Sequence, residues 1–294
     1  MTQHHDNASR PSQVLVLGGT GKTGRALTAR LTAAGVKARV ASRSASSDAN
    51  VVRFDWNDVA THGPAVSGVD AIYLIAPLLV ADPSEQMLEL VRRALDAGVR
   101  RFILLSSSAI EEGMPGLGTV HAGLRSMAPE WAVLRPSWFM ENFVDPTHHH
   151  GRSIAENGEI VSAAGSGRIG FVSVNDIAAV AFHALTDRNA HNAAHIITGP
   201  QALSYDDVAG VITQLTGNAV RHVAVSTTAA AAHMAKYGVP ELFAGFLASL
   251  EHEAIRNGSE DRVTDTVLNV TGVAPRSLGD MLRAHRAVPG TVAG

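Results

Sequence analysis

The sequence predicts an α/β chain: a doubly wound parallel sheet with a smaller C-terminal α/β lid. Three observations predict it. A glycine-rich turn joins the apolar run Val14-Leu15-Val16-Leu17 to a helical pattern. Short apolar runs then alternate with helical stretches through Leu105, which is the signature of parallel strands joined by crossover helices. The last third changes style, with an alanine-rich stretch and several capped helices.

Composition narrows the classes. The chain has 294 residues, of which 46% are hydrophobic, so it can bury a sizeable core. The net charge is −3, and no basic stripe points to nucleic acid. Cysteine is absent, which excludes disulfides, thiolate catalysis and Cys-ligated zinc. Residues 1–12 are polar and read as a disordered tail, without the apolar centre of a signal peptide. No stretch is long enough to span a membrane, and cytoplasmic residence is compatible with all of this.

The first strand runs straight into Gly18-Gly19-Thr20-Gly21-Lys22-Thr23-Gly24, and a helix follows from Arg25. That context gives the glycines separate jobs. Gly18 permits a tight turn, Gly21 lets backbone approach a pyrophosphate, and Gly24 lets helix and strand pack closely. N–H groups at the helix start would then face the anion. Gly21-Lys22-Thr23 also resembles the end of a triphosphate-binding loop, but that motif needs glycine where Val16 stands. A glycine turn with no ligand is the plain alternative.

The second strand ends at Ala41-Ser42-Arg43-Ser44. An acid here would hold the ribose hydroxyls of NAD; none appears before Asp48. Arg43 can instead pair with a 2′-phosphate, aided by Ser42, so NADP(H) is the expected cofactor. The alternative is a solvated surface arginine. Val51 to Phe54 reads as the third strand, and Asp55 as a helix cap that also touches the adenine edge. The fourth strand, Ala71 to Ile75, stops at Ala76-Pro77 because proline cannot donate to a sheet. A helix starts at Asp82-Pro83-Ser84, and the fifth strand, Phe102 to Leu105, ends in Ser106-Ser107-Ser108. In such sheets ligands lie beyond the carboxyl ends of the strands, where all these positions fall.

Val120 to Met127 is a short helix carrying His121, and Trp131 to Leu134 is a sixth strand, broken by Arg135-Pro136. The bulky run Ser137 to Phe143 can line a pocket wall or serve the core. His148-His149-His150 reads as a loop without a metal, because adjacent histidines diverge on any regular element. Phe171 to Val174 reads as a strand, with Asn175-Asp176 capping a helix to Leu185. Beyond it come a capping box at Ser204 and Asp207, a strand over Val220 to Val225, and helices over Thr227 to Lys236, Leu242 to Ile255 and Leu278 to Ala287.

Many reductases of this architecture use a tyrosine and a lysine four residues later as a proton donor pair. Four residues after Tyr73, Tyr205 and Tyr237 stand Pro77, Ala209 and Glu241, so the pair is absent. Either the chain binds a dinucleotide without turnover, or its acceptor needs no strong proton donor. An iminium ion is such an acceptor. His121 is the remaining candidate acid, with an ordinary pKa of ~6.5.

The chain resembles the NmrA-like branch of atypical short-chain dehydrogenase/reductases over residues 13–290, and within it the festuclavine and agroclavine type of ergot-alkaloid dehydrogenase. Leu17 to Gly24, Ala41-Ser42-Arg43, Phe54-Asp55-Trp56, Gly68 to Leu74, Val120-His121-Ala122, Leu134 to Phe143, Val172 to Ala178 and Leu203 to Val208 carry the resemblance. It implies a Rossmann-type fold. Thr20, Lys22 and Thr23 would lie on the phosphates, Arg43 on the 2′-phosphate, and Ala76 and Pro77 beside the adenosine. Ser106 and Ser107 would lie near the nicotinamide, with Trp138, Phe139 and Asn142 bordering the substrate. The implied reaction is NADPH-dependent reduction of an imine, iminium or activated alkene on a small hydrophobic molecule. A non-catalytic NADP(H)-sensing regulator acting through a protein partner, and a quinone or aldehyde reductase, are the other readings. The expected division is 1–12 tail, 13–150 dinucleotide-binding domain and 151–294 lid. A homodimer is compatible with it; nucleic-acid or membrane partners are not expected.

Overall fold

The computed structural model describes residues 11–44, 46–78, 80 and 82–287. In chain order the elements are β1 Gln13–Val16, α1 Lys22–Ala33, β2 Lys37–Ser42, β3 Val51–Arg53, α2 His62–Val66 and β4 Ala71–Leu74. Next come α3 Ser84–Asp96, β5 Arg101–Leu105, α4 Leu117–Met127, β6 Glu130–Pro136, α5 His149–Asn157, β7 Glu159–Ser162 and α6 Val174–Thr186. The chain continues with β8 Ala193–Ile197, α7 Tyr205–Thr216, β9 Arg221–Ala224, α8 Thr227–Lys236, α9 Glu241–Leu250, α10 Thr266–Thr271 and α11 Leu278–Arg286.

Seven strands form one sheet in the order β3-β2-β1-β4-β5-β6-β8. The five pairings from β3 to β6 are parallel, so the expected doubly wound sheet is present. Strand order reverses beside β1, which makes the β1/β4 boundary the topological switch point. β1 and β4 read as continuous apolar runs because both of their faces are covered. Leu15, Ile72, Leu74, Phe102 and Leu104 are at most 1% exposed, and each such burial is worth about 1.5–3 kcal/mol.

The chain divides into two compact units. The first holds the described residues up to Arg135 together with Ile177–His195; the second holds Pro136–Asp176 and the described residues from Ile196 onward. The units are therefore interleaved in sequence, whereas the sequence suggested a single cut at residue 150. Among the described residues no helix is long and apolar enough to cross a membrane.

Several local expectations are corrected. Residues 1–10 lie outside the described part, but Ser12 is anchored: its N–H and hydroxyl both donate to Asp70, each at 2.7 Å. Asp55 is not the helix cap. Its carboxylate accepts from Asn57 N at 2.9 Å, while Asp58 caps the following turn. Phe171 to Val174 is not a strand; only Val172 forms a bridge, to Phe139. Nor do Asn175 and Asp176 cap α6. The Glu141 carboxylate accepts from Ser173 Oγ and Val174 N, both at 2.9 Å, and starts the helix earlier. His148 to His150 is not a loop: His148 caps α5, its Nδ1 accepting from His150 N at 3.2 Å. The capping box is present, with Ser204 and Asp207 serving each other's backbone. The helix expected over Leu242 to Ile255 ends at Leu250 and continues as a π-helical turn over Glu251–Arg256.

Candidate functional site

The glycine loop is shaped by crowding. Gly18 has φ +59°, a conformation that favours glycine. A Cβ on Gly24 would lie 2.3 Å from Gly18 O, and one on Gly19 would lie 2.6 Å from Val40 Cγ1. Gly21 N donates to Gly18 O at 2.8 Å and closes the turn. α1 then begins at Lys22 with no side-chain cap and no acid in its first turn. Uncapped N–H groups beside an open glycine edge suit an anion. Thr20 and Gly21 are exposed and Lys22 is half-buried. Thr23 is 4% exposed and packs into the fold, which leaves mainly its backbone N–H for a phosphate.

One contributor escaped the sequence reading. Arg25 donates to Thr20 O through Nε at 3.0 Å and Nη2 at 2.7 Å, pinning the tip of the loop. Its only signal was a basic residue in the first helical turn, a place that an anion-binding helix start favours.

The other candidates of the first unit lie at the same carboxyl edge. Arg43 follows β2, is exposed, and makes no ion pair with any described residue. Ser42 is half-buried, and its hydroxyl accepts from Ser44 N at 3.2 Å, so it shapes the turn. Asp55 follows β3, while Ala76 and Pro77 follow β4, all half-buried. Ser106 and Ser107 follow β5 and are half-buried as well.

His121 is neither solvent-facing nor open. It is 4% exposed. Its ring packs against Trp131 with centroids 5.7 Å apart, and Nε2 lies 3.9 Å from Glu112 Oε2. Burial lowers its pKa below the ordinary 6.5, so the imidazolium is the minor form at neutral pH. The three tyrosines are also enclosed: Tyr73 and Tyr205 at 0% exposed and Tyr237 at 6%.

In the second unit the bulky run splits by burial. Met140 and Phe143 are core residues at 1% and 3% exposed. Trp138, Phe139 and Asn142 are half-buried, so these three present surface. Backbone bonds fix the segment: Val172 N donates to Trp138 O at 2.9 Å and Met140 N to Val172 O at 3.0 Å.

The histidine run sits in the interior of the same unit. His149 and His150 are 5% and 3% exposed, and neither Nδ1 has a hydrogen-bond partner. Glu251 opens the π-helical turn at 4% exposed. Its carboxylate accepts from Ala163 N at 3.0 Å and Tyr205 Oη at 3.3 Å and lies 3.9 Å from His150 Nε2. Burial pushes the Glu251 carboxyl up to about 7 against the opposing hydrogen bonds. Burial also lowers His149 to about 4, helped by His233. Among the described residues no group of three or more such side chains is arranged to hold a metal ion.

Known proteins resemble the chain over nearly all of its length. The model of the NmrA-like family matches residues 10–263. An uncharacterized oxidoreductase, YesF, of Bacillus subtilis is 41% identical over 280 residues, covering 95% of this chain and 96% of that protein. Festuclavine synthase II of Penicillium roqueforti is 38% identical over 290 residues, covering 94% and 99%. Among solved structures, Citrobacter sp. triphenylmethane reductase complexed with NADP(H) superposes with a TM-score of 0.78 at 24% identity, covering 92% of this chain and 99% of that one.

Proposed function

Because the chain belongs to the NmrA-like family, we propose that it is an NADPH-dependent oxidoreductase that reduces an imine, an iminium or an activated alkene on a small hydrophobic molecule. The observation that carries the reading is the uncapped, acid-free start of α1 after a loop in which Gly18 takes φ +59° and a Cβ on Gly24 would meet backbone at 2.3 Å. Its relatives named as an oxidoreductase and a festuclavine synthase support the reaction class. The NADP(H) complex of the reductase of the same fold supports the cofactor.

The residues fit the group. N–H donors of the Gly18–Gly24 loop and α1 would hold the diphosphate, with Thr20, Lys22 and Thr23 beside it. Arg43 would pair with the 2′-phosphate as a charge-assisted contact. Asp55, Ala76 and Pro77 would border the adenosine, and Ser106 and Ser107 the nicotinamide. The reduced nicotinamide supplies a hydride when bound. Trp138, Phe139 and Asn142 would border the substrate.

The choice of acceptor rests on a proton. With all three tyrosines enclosed, no phenol is open to donate one. His121 is buried and mainly neutral, so it suits a packing role better than acid catalysis. A cationic carbon–nitrogen double bond accepts hydride without a proton, and orientation would then supply most of the rate. Oxidation of NADPH against a panel of cyclic iminium ions, enals and quinones tests the proposal. Turnover of iminium ions ahead of the neutral acceptors is expected. Tight NADPH binding with no turnover on any of them would favour the sensing regulator instead.

A further inference from the structure

Ser106 to Ile110 leaves β5 at the edge where the dinucleotide is proposed to bind. The last rung there is Ser106 N donating to Leu134 O at 2.7 Å. Past that rung the chain leaves the sheet, and a buried carbonyl there needs a donor. Arg135, at the end of neighbouring β6, supplies it. Its side chain is 7% exposed. Nη2 donates to Ser108 O at 2.9 Å and also to Glu111 Oε1, and Nε reaches Ser107 O at 3.5 Å.

The pairing with Glu111 does not by itself explain a buried guanidinium. The Glu111 side chain is 58% exposed, and exposed ion pairs are worth little. The contact to the Ser108 carbonyl is the buried one. Ser107 is spent on the shape of the turn: its carbonyl accepts from Ile110 N at 3.1 Å, and its hydroxyl from Ala109 N at 3.4 Å. The Ser106 hydroxyl makes no hydrogen bond with a described residue, so it is the group left for a ligand. Farther along, the loop is held without Arg135. Gly113 N donates to Gly118 O at 2.9 Å, and a Cβ on Gly118 would lie 2.3 Å from Glu111 O. Ser107 and Ser108 are therefore the residues of the loop whose carbonyls meet the arginine.

We infer that Arg135 is a positioning residue: its forked guanidinium fixes the Ser106–Ser108 backbone so that the Ser106 hydroxyl is presented at the carboxyl edge of the sheet for hydride transfer. The inference rests on the proposal that a reduced nicotinamide dinucleotide binds at that edge. Lysine cannot substitute, because a single ammonium does not reproduce a planar fork that serves two carbonyls and a carboxylate. Misplacing a reacting group by about 1 Å can cost on the order of 100-fold in rate.

The test compares the full chain with its R135M and R135K variants by two readouts. Amide hydrogen exchange reads the loop directly. R135M should exchange about tenfold faster over residues 106–110 and unchanged over 14–24, since only the former lose donors. NADPH affinity should stay within about threefold, while single-turnover hydride transfer to a quinone or cyclic iminium falls about 10–100-fold. R135K should shift both readouts in the same direction, and it decides the matter if R135M does not fold. Unchanged exchange over 106–110 overturns the inference, as does a loss of NADPH affinity as large as the loss of transfer rate. If the parent protein binds no reduced nicotinamide dinucleotide, the functional reading falls with the catalytic half of the inference, and exchange alone then judges the loop.

Discussion

Beneath the strands of the first unit the core is aliphatic and aromatic, with Leu15, Ile72, Phe102 and Leu104 at its centre. The second unit encloses His149, His150, Ser153 and Glu251 among its core residues. The first unit buries His62 and His121 in its helices, at 3% and 4% exposed, and its buried arginines are satisfied: Arg101 donates to Glu130 and to the carbonyls of Leu185 and Asp187, and Arg135 to the β5 exit. Among the described residues His149 Nδ1, His150 Nδ1 and Ser153 Oγ of the second unit lack hydrogen-bond partners, as do Thr28 Oγ1, His62 Nδ1 and Tyr73 Oη of the first. Each unpartnered buried group costs about 1–3 kcal/mol. Both interiors thus hold titratable groups, but among the described residues only the second sets a buried histidine against a buried carboxylate, His150 against Glu251.

The largest effect that sharpens this contrast is Leu104→Ala. It should cost about 2–5 kcal/mol through lost burial and a cavity. The penalty should be equal at pH 5 and pH 8, read from urea midpoints; a pH-dependent penalty would break the contrast from the first unit's side.

Glu251→Gln comes next. The folded carboxyl titrates near 7, above its ordinary 4.5, so the folded state holds that proton more tightly. The stabilisation is full below 4.5 and is lost as pH rises through about 7. At 1.36 kcal/mol per unit it amounts to about 3 kcal/mol. His149 has the opposite sign. Lowered to about 4 from 6.5, it favours folding above 6.5 and loses that advantage as pH falls toward 4. His150, lowered by burial and by His149, His148, His233 and His222, acts in the same sense as His149. Glutamine keeps one acceptor oxygen, for Ala163 N, and removes the carboxyl titration. The variant should therefore gain stability with pH between about 5 and 7 more steeply than the parent. Parallel pH profiles for the two proteins would sink the assignment.

Arg43→Asp tests the rim of the first unit against its core. Losing a charge-assisted pair should weaken NADPH by about 1.5–3 kcal/mol and NADH far less, with folding stability unchanged. Equal losses for the two cofactors would remove the 2′-phosphate assignment. The smallest effect belongs to His149→Phe, which removes an unpartnered nitrogen from between the rings of His148 and His150. It should gain about 1 kcal/mol at pH 5 and change less at pH 8; a loss at pH 5 would mean that the imidazole does unseen bonding.

The contrast also separates what was legible in the sequence from what was not. β1, β4, β5 and β6 were readable because strands buried on both faces are written as contiguous apolar runs. The glycine loop was readable because its spacing sits between a strand and a helix. β7 and β8 were missed: each is short and carries a polar residue, Glu159 or His195, inside the run. The burial of His150 follows from Tyr205 and Glu251, which lie far along the chain and which no local pattern announces. Of the candidate site, the loop glycines and Arg43 were visible as sequence, whereas Arg25 and Arg135 act on backbone carbonyls and became visible only in three dimensions.

The chain passes from one unit to the other after Arg135, after Asp176 and after His195. A chimera that takes everything beyond Arg135 from a relative therefore inherits a foreign Ile177–His195 along with the second unit. Exchanging the second unit alone between family members calls for a two-piece graft, Pro136–Asp176 together with the described residues from Ile196, and leaves Ile177–His195 with the host.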